Sequence, residues 1–327
     1  MRGLHSRLVG LSRSLRIAVT GVVVLCAVAW ACAPAAAQDA KTLRIGFQKY
    51  GTLTILKALG SLDKALGEQD ITIKWVEFPA GPQLLEGLNV GSIDFGTVGE
   101  SPPIFAQAAS APLVYVGNEP PAPTSEAILV PKDSPIQSVA DLKGKKVALN
   151  KGSNVHYLLV KLLEKAGVPY QDVKVSYLTP ADARAAFERG AVDAWVIWDP
   201  FQAAAEKQLG ARVLADGVGV VNNYQFFLAS KDYLAAHPDV IKTVLEEIRK
   251  GDLWAKDHPK ESVDLLQPVL GLERPVVELA AERLAYGVTP VTREVLQHQQ
   301  EIADAFYALK LIPKKLDVNE AAPPDFR

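Results

Sequence analysis

The feature that most restricts this chain is a join repeated along it. At five places a short strand-like run passes into a small capping residue and then a helix-like segment: Phe78 to Gly81-Pro82, Ile93–Phe95 to Ser101-Pro102-Pro103, Val147–Leu149 to Gly152-Ser153-Asn154, Val173–Leu178 to Thr179-Pro180, and Val192–Trp198 to Asp199-Pro200. Ser, Thr and Asp satisfy the free N–H groups of a first helical turn, and Pro fits the first helical position, where no N–H is needed. Strands that feed directly into helices predict an α/β fold with a largely parallel sheet. In such a fold the helix starts gather at the carboxyl ends of the strands, where open α/β sheets bind ligands.

The same alternation sets the organisation. Strands are predicted at Leu43–Phe47, Ile71–Phe78, Ile93–Phe95, Leu113–Val116, Ala127–Val130, Lys146–Leu149, Val173–Tyr177, Val192–Trp198, Ala211–Leu214 and Tyr224–Ala229. A helix is predicted over Thr52 to Leu62, and an amphipathic one over Val155 to Lys165, with Leu158, Leu159, Leu162 and Leu163 at helical spacing before Gly167 and Pro169. From Lys231 to Tyr307 the pattern is almost all helix, broken at His237-Pro238, His258-Pro259 and Pro290, and the tail from Pro313 reads as extended. The expected division is discontinuous. Residues 39–124 with 223–327 form one lobe, and 125–222 form a second, joined by two short crossings suited to hinge closure.

Residues 1–37 are expected to be an export signal and not part of the fold. Four arginines precede the apolar run Ile17–Trp30, and Ala35-Ala36-Ala37 supplies a small-residue cleavage site. Acylation at Cys32 is the alternative, although Ala29-Trp30-Ala31 departs from the Leu-led pattern such sites carry. The whole chain has 35 Lys and Arg against 37 Asp and Glu; without the four signal arginines 31 face 37, a net charge of −6. That balance argues against nucleic acid as a partner. The two cysteines, Cys26 and Cys32, both precede residue 38, so the exported part carries no thiol for a disulfide, a thiolate metal site or a nucleophile.

Chemistry is best read from the helix starts. Each offers unpaired N–H groups at the positive end of a helix dipole, and several facing one cleft bind an anion without arginine. Gly152-Ser153-Asn154 is the sharpest case, with Gly for close approach and Ser and Asn as donors. The spacing of a nucleotide-binding loop is absent. His156 falls in the first turn of the same helix, as a ligand contact or a packing residue, and Asp182 falls in the first turn after Thr179, where serving the dipole is the simpler role. Trp195 and Trp198 stand three apart in one strand and so face opposite sides; Trp198, nearer the strand end, is the cleft candidate. Glu100 and Glu119 are unexpected beside an anion. No zinc-protease or serine-hydrolase motif is present, and the histidines lack metal-ligand spacing, so neither an enzyme nor a cofactor is expected.

The chain resembles the periplasmic aliphatic sulfonate-binding proteins of ATP-driven uptake systems, a branch of the nitrate, taurine and sulfonate binders. The resemblance is carried by Arg44–Lys49, Trp75–Gln83, Leu88–Asp94, Pro102–Ala109, Leu113–Gly117, Tyr177–Phe187, Val192–Trp195 and Ile197–Pro200. It implies a type II periplasmic binding fold with two lobes, a cleft and a hinge. It also implies a small anionic ligand such as an alkanesulfonate, a membrane permease as partner, and action as a monomer. The implied ligand residues are Gln48, Glu100 and Ser101 from the first lobe. From the second they are Gly152, Ser153, Asn154, His156, Thr179, Asp182, Trp198 and Asp199. Taurine, nitrate, sulfate esters and pyrimidine-type ligands are the rival occupants, and an enzyme on the same scaffold is the rival class.

Overall fold

A computed structural model describes residues 42–324, so the expected export signal and Cys32 lie outside the described residues. The first elements are β1 (Thr42–Phe47), α1 (Thr52–Leu59), α2 (Ser61–Gly67), β2 (Thr72–Glu77), α3 (Gly81–Asn89), β3 (Phe95–Gly99), α4 (Pro102–Ala108) and β4 (Leu113–Asn118). There follow β5 (Glu126–Val130), β6 (Lys146–Leu149), α5 (Asn154–Lys165), β7 (Lys174–Tyr177), α6 (Pro180–Glu188), β8 (Ala194–Trp198), α7 (Phe201–Leu209), β9 (Arg212–Asp216) and β10 (Gln225–Ser230). Helices α8 (Lys231–Ala236), α9 (Pro238–Asp257), α10 (Pro259–Leu270), α11 (Arg274–Glu282) and α12 (Arg293–Ala308) complete the order. Among these residues no helix is long and apolar enough to cross a membrane.

The strands form two five-stranded sheets, ordered β2-β1-β3-β10-β4 and β7-β6-β8-β5-β9. In the first, β1 and β3 run parallel while β10 runs antiparallel to both β3 and β4. In the second, β6 is parallel to β7 and β8 while β5 is antiparallel to β8 and β9. The antiparallel strand occupies the same place in each sheet. It is also the strand reached by a crossing, since the chain passes from β4 into β5 and from β9 into β10. The two crossings are tied together: Ala122 N–H donates to Asn222 O over 3.0 Å and Gly217 N–H to Pro123 O over 3.0 Å.

Packing explains where elements differ from the sequence reading. The strand expected at Ile93–Phe95 begins only at Phe95 and continues through Gly96-Thr97-Val98 to Gly99, a stretch whose glycines read as loop. The Asp94 carboxylate takes the Arg44 N–H at 2.9 Å, and the parallel register starts one residue later at Ile45 and Phe95. Gly96 is needed because a Cβ there would lie 2.8 Å from the Leu84 side chain and 2.9 Å from Gly46 O. The helix expected over Thr52–Leu62 is interrupted at Gly60. The break at Pro290 is longer than expected because Thr289 pairs with Asn118 in both directions and extends β4. The tail is not simply extended: Val318 and Ala321 are buried in a short 3₁₀ turn, and Val318 N–H donates to Gln300 Oε1 of α12.

The core lies around both sheets, with Trp195, Tyr115, Phe95, Phe226, Phe227 and Phe306 fully buried. Each such side chain removes enough apolar area from water to contribute about 1.5–3 kcal/mol. The C-terminal helices do not serve one sheet alone. Helix α9 packs on α1, whereas α11 packs on α7 beside the second sheet. There Arg283 Nη1 meets Glu206 at 2.8 Å and Asp199 at 3.5 Å.

Candidate ligand-binding cleft

Nine residues enclose a narrow pocket where the two sheets face each other: Gln48, Tyr50, Gly81, Gly99, Pro102, Ser153, Asn154, Trp198 and Gln225. The first sheet places Gln48 and Tyr50 just after β1, Gly99 at the end of β3 and Gln225 at the start of β10. The second places Trp198 at the end of β8. Gly81, Pro102 and Asn154 are the first residues of α3, α4 and α5, so three helix starts meet at this pocket. No side chain caps any of the three. Ser153, in the cap position of α5, instead donates its hydroxyl to Asn150 O at 2.7 Å. The lining contains no arginine or lysine.

The other two expected helix starts are occupied from within. Thr179 Oγ1 accepts from Asp182 N–H at 3.3 Å and donates to Asp182 Oδ2 at 2.8 Å; both residues are exposed, and neither lines the pocket. Asp199 Oδ1 accepts from Ala203 N–H at 3.0 Å, which places a carboxylate on the start of α7, and its other oxygen faces Arg283. Sequence predicted five converging starts. The fold aims three at one pocket, because a start whose N–H groups already hold an internal oxygen has little left to offer a ligand.

Of the expected site residues, Gln48, Ser153, Asn154 and Trp198 reach the lining. Gln48 is held by donation from its Nε2 to Thr97 O and by Thr54 Oγ1 donating to its carbonyl at 2.8 Å. Trp198 lies edge-on to Phe201, while Trp195 turns the other way against Phe187. Ser101 is fully buried between Gly99 and Pro102, and its hydroxyl has no partner. Gly152 and His156 lie behind Ser153. His156 Nδ1 accepts from Gly152 N–H and its Nε2 meets the Tyr170 hydroxyl at 2.7 Å, which assigns the proton to Nε2. Burial, helped by the Lys151 charge, pushes the imidazole pKa down to about 3. It is a neutral packing group among Phe105, Tyr177 and Phe306, not a ligand cation.

Of the two unexpected carboxyls, Glu119 is buried away from the pocket lining, where it accepts from Thr52 Oγ1 at 2.8 Å, and Glu100 is buried with a second acid, Glu126. Glu100 and Glu126 are both buried, one from each side, and each has one oxygen without a partner. Burial pushes Glu100 up to about 7, against the lowering effect of the N–H groups of Tyr224 and Asn223. Burial, then the charge of Glu100, pushes Glu126 well above the ordinary carboxyl range, while the Asn154 amide opposes the shift. At neutral pH and below, this pair therefore holds less negative charge than its composition suggests. Tyr50, Gly81, Gly99, Pro102 and Gln225 line the pocket without having been assigned to the ligand from sequence, and Glu126, bonded to Asn154 behind the lining, was likewise not assigned. Gly81-Pro82 and Pro102 stood within the recurring joins, which was their one local signal.

A family model described as NMT1/THI5 like matches residues 67–262. The chain belongs to the NMT1/THI5-like family. Over 290 residues it is 48% identical to an Escherichia coli (strain K12) protein that carries the name of an aliphatic sulfonates-binding protein, covering 88% of this chain and 90% of that one. The solved alkanesulfonate-binding protein of Xanthomonas axonopodis pv. citri, bound to MOPS, superposes with a TM-score of 0.83 at 44% identity, over 86% of this chain and 98% of that one. The periplasmic aliphatic sulphonate binding protein of Escherichia coli gives a TM-score of 0.78 at 47% identity, over 86% and 91%. These relatives place the family member in the sulfonate-binder branch that its sequence resembles, and its two-sheet α/β architecture is the one those binding proteins share.

Proposed function

We propose that this protein captures an alkanesulfonate in the cleft and delivers it to the membrane permease of an ABC uptake transporter. Three uncapped helix starts around one pocket carry this reading. The starts of α3 and α5 supply N–H donors and the positive ends of dipoles. Helix α4 opens on Pro102-Pro103 and so lacks free N–H groups there; it adds only its positive end, and the pocket has no cation of its own. Ser101 adds a buried hydroxyl with donating capacity unspent. A sulfonate stays anionic at all ordinary pH and offers three acceptor oxygens, which suits a site built of donors. MOPS, the molecule in the Xanthomonas relative, is itself a sulfonate.

The reading includes motion. The pocket measures about 10 Å³, roughly the space of one water-sized sphere, and a sulfonate head group exceeds that. We place the hinge at residues 119–125 and 217–224, with 39–124 and 223–327 as one lobe and 125–222 as the other. Cleft opening then admits the ligand and closure presents the complex to the permease. Export to the periplasm by residues 1–37, release without a lipid anchor, action as a monomer and the absence of catalysis belong to the same reading. A thermal-shift panel of methanesulfonate, butanesulfonate, taurine, nitrate and sulfate tests it. At a hundred times its dissociation constant the right ligand stabilises the fold by about 2.7 kcal/mol. A response to nitrate with none to any sulfonate would reject the assignment, and sulfite release from a sulfonate would replace binding by catalysis.

A further inference from the structure

We infer that Arg283 is a positioning residue for the closed cleft: carried by the first lobe just past α11, it clasps α7 of the second lobe and slows release of the ligand without touching it. The inference rests on the lobe closure proposed above and deepens it. Helix α11 has two unlike contacts. With α10 it packs on α1 and α9, where Ile55, Ala255, Val263, Leu266 and Val277 form one buried cluster. On its other side it meets α7, which follows β8 of the second sheet, and there Val276 and Ala280 face Ala203 and Ala204. Small side chains bury little apolar area, so the seam on α7, and not the contact on α1, is the one that slides when the lobes part.

Polar ties hold that seam at both ends. At the start of α11, Gln208 Nε2 donates to Glu273 Oε1 over 3.5 Å. Past its end, Arg283 Nη1 and Nη2 donate to the two carboxylate oxygens of Glu206 at 2.8 and 3.1 Å, and Nη1 also reaches Asp199 Oδ2 at 3.5 Å. Arg283 is 17% exposed and Asp199 0%, so solvent screens this cluster less than a surface pair. Without the guanidinium, Asp199 would be a buried charge with no cation, which favours an arrangement where water reaches it. The clasp is also coupled to the ligand site. Asp199 follows Trp198 of the pocket lining, and its N–H donates to Ser125 O of the outgoing crossing at 3.0 Å. An apolar gap of about 20 Å³ lies behind the pocket, lined by Tyr50, Pro200, Ala280 and Leu284, and Tyr50 lines the pocket as well. The clasp is made while the pocket is narrow, so it stabilises the closed arrangement over the open one.

The test measures butanesulfonate release by stopped-flow tryptophan fluorescence, and the ligand-free radius of gyration by small-angle scattering. It uses the full exported chain as wild type, Arg283→Gln, Arg283→Lys and Glu206→Gln. R283Q is expected to release the ligand about tenfold faster, with association nearly unchanged, and to have the larger ligand-free radius. R283K keeps the charge but not the planar fork and is expected to fall between. E206Q alters a partly exposed site, is expected to follow R283Q in direction, and decides the matter if R283Q does not fold. Wild-type release rates in R283Q and E206Q would overturn the clasp even if both melt lower, since a merely structural ion pair moves stability alone. No sulfonate binding by wild type would reject the ligand reading instead. Scattering then decides the clasp, and equal radii in wild type and R283Q would overturn it.

Discussion

Asn154 donates its side-chain amide to Glu126 Oε2 over 2.6 Å. The same nitrogen reaches Asn223 Oδ1 at 2.9 Å, so one residue at the start of α5 fastens a buried acid of β5 to the returning crossing. Asn223 in turn donates to Ala122 O and Ser125 Oγ on the outgoing crossing. Replacing Asn154 by Ala leaves two buried acceptors short of a donor. The expected cost is about 1–3 kcal/mol of stability, read by urea unfolding. Sulfonate affinity is expected to fall as well, since Asn154 also lines the pocket. An N154A protein with wild-type affinity would show that the amide serves the crossing alone.

The paired acids give a pH dependence with a definite sign. Glu100 and Glu126 are raised in the folded protein, so the unfolded chain gives up these protons first. Below the ordinary carboxyl range both states are protonated and the pair costs nothing. As pH climbs from there through the Glu100 value of about 7, the fold keeps protons that the unfolded chain has released, and stability falls. A bound anion favours the neutral acids further, so sulfonate affinity is expected to weaken as pH rises through about 7. Asp199 and Asp252 also sit at about 7 and contribute to the stability curve. The difference between wild type and Glu100→Gln isolates Glu100. Its affinity profile is expected to be flatter from pH 5 to 8, and equal slopes would remove Glu100 from the coupling.

Ser101 separates binding from stability. Its hydroxyl is buried and unpartnered, so Ser101→Ala is expected to leave the melting temperature level or slightly higher. A hydrogen bond to a charged group contributes about 1.5–3 kcal/mol, and sulfonate affinity is expected to fall at least tenfold. Titration calorimetry and a melt on the same preparation decide it; a stability loss with intact affinity would reverse the role.

Part of this site was legible in the chain because it is written locally. Ser153-Asn154, Trp198 and the Pro-marked starts at Gly81 and Pro102 sit where a strand hands over to a helix, and the fold carries them to the pocket. Thr179 and Asp182 show the limit of that signal. Cap chemistry is visible in sequence, but whether the cap is spent on its own helix or left for a ligand depends on side-chain geometry. Gln225 and Glu126 were hidden for a different reason. Both open strands that enter the opposite sheet after a crossing, and no neighbouring residue reports that β10 will pair between β3 and β4. The Gly96–Gly99 part of β3 was masked by composition, since the close approach of Leu84 requires the glycine that local propensity reads as a turn.

The crossings proposed as the hinge yield the last expectation. Gly217 lies where the returning crossing meets the outgoing one, and a Cβ there would stand 2.7 Å from Pro123 O and 2.9 Å from Val221 Cγ2. Gly217→Ala must push the two crossings apart, at about 1–3 kcal/mol for the overpacking. Gly91→Ala is the matched control. Its φ of 68° strains an alanine, at about 1–2 kcal/mol, yet nothing lies within 4 Å of the added methyl and the site is remote from the crossings in sequence. Both variants are expected to melt several degrees lower. Only the Gly217 variant is expected to change sulfonate affinity and the radius of gyration with and without ligand, because only it alters the relation between the two lobes in the proposed closure. Equal ligand responses in the two variants would show that closure does not run through this crossing.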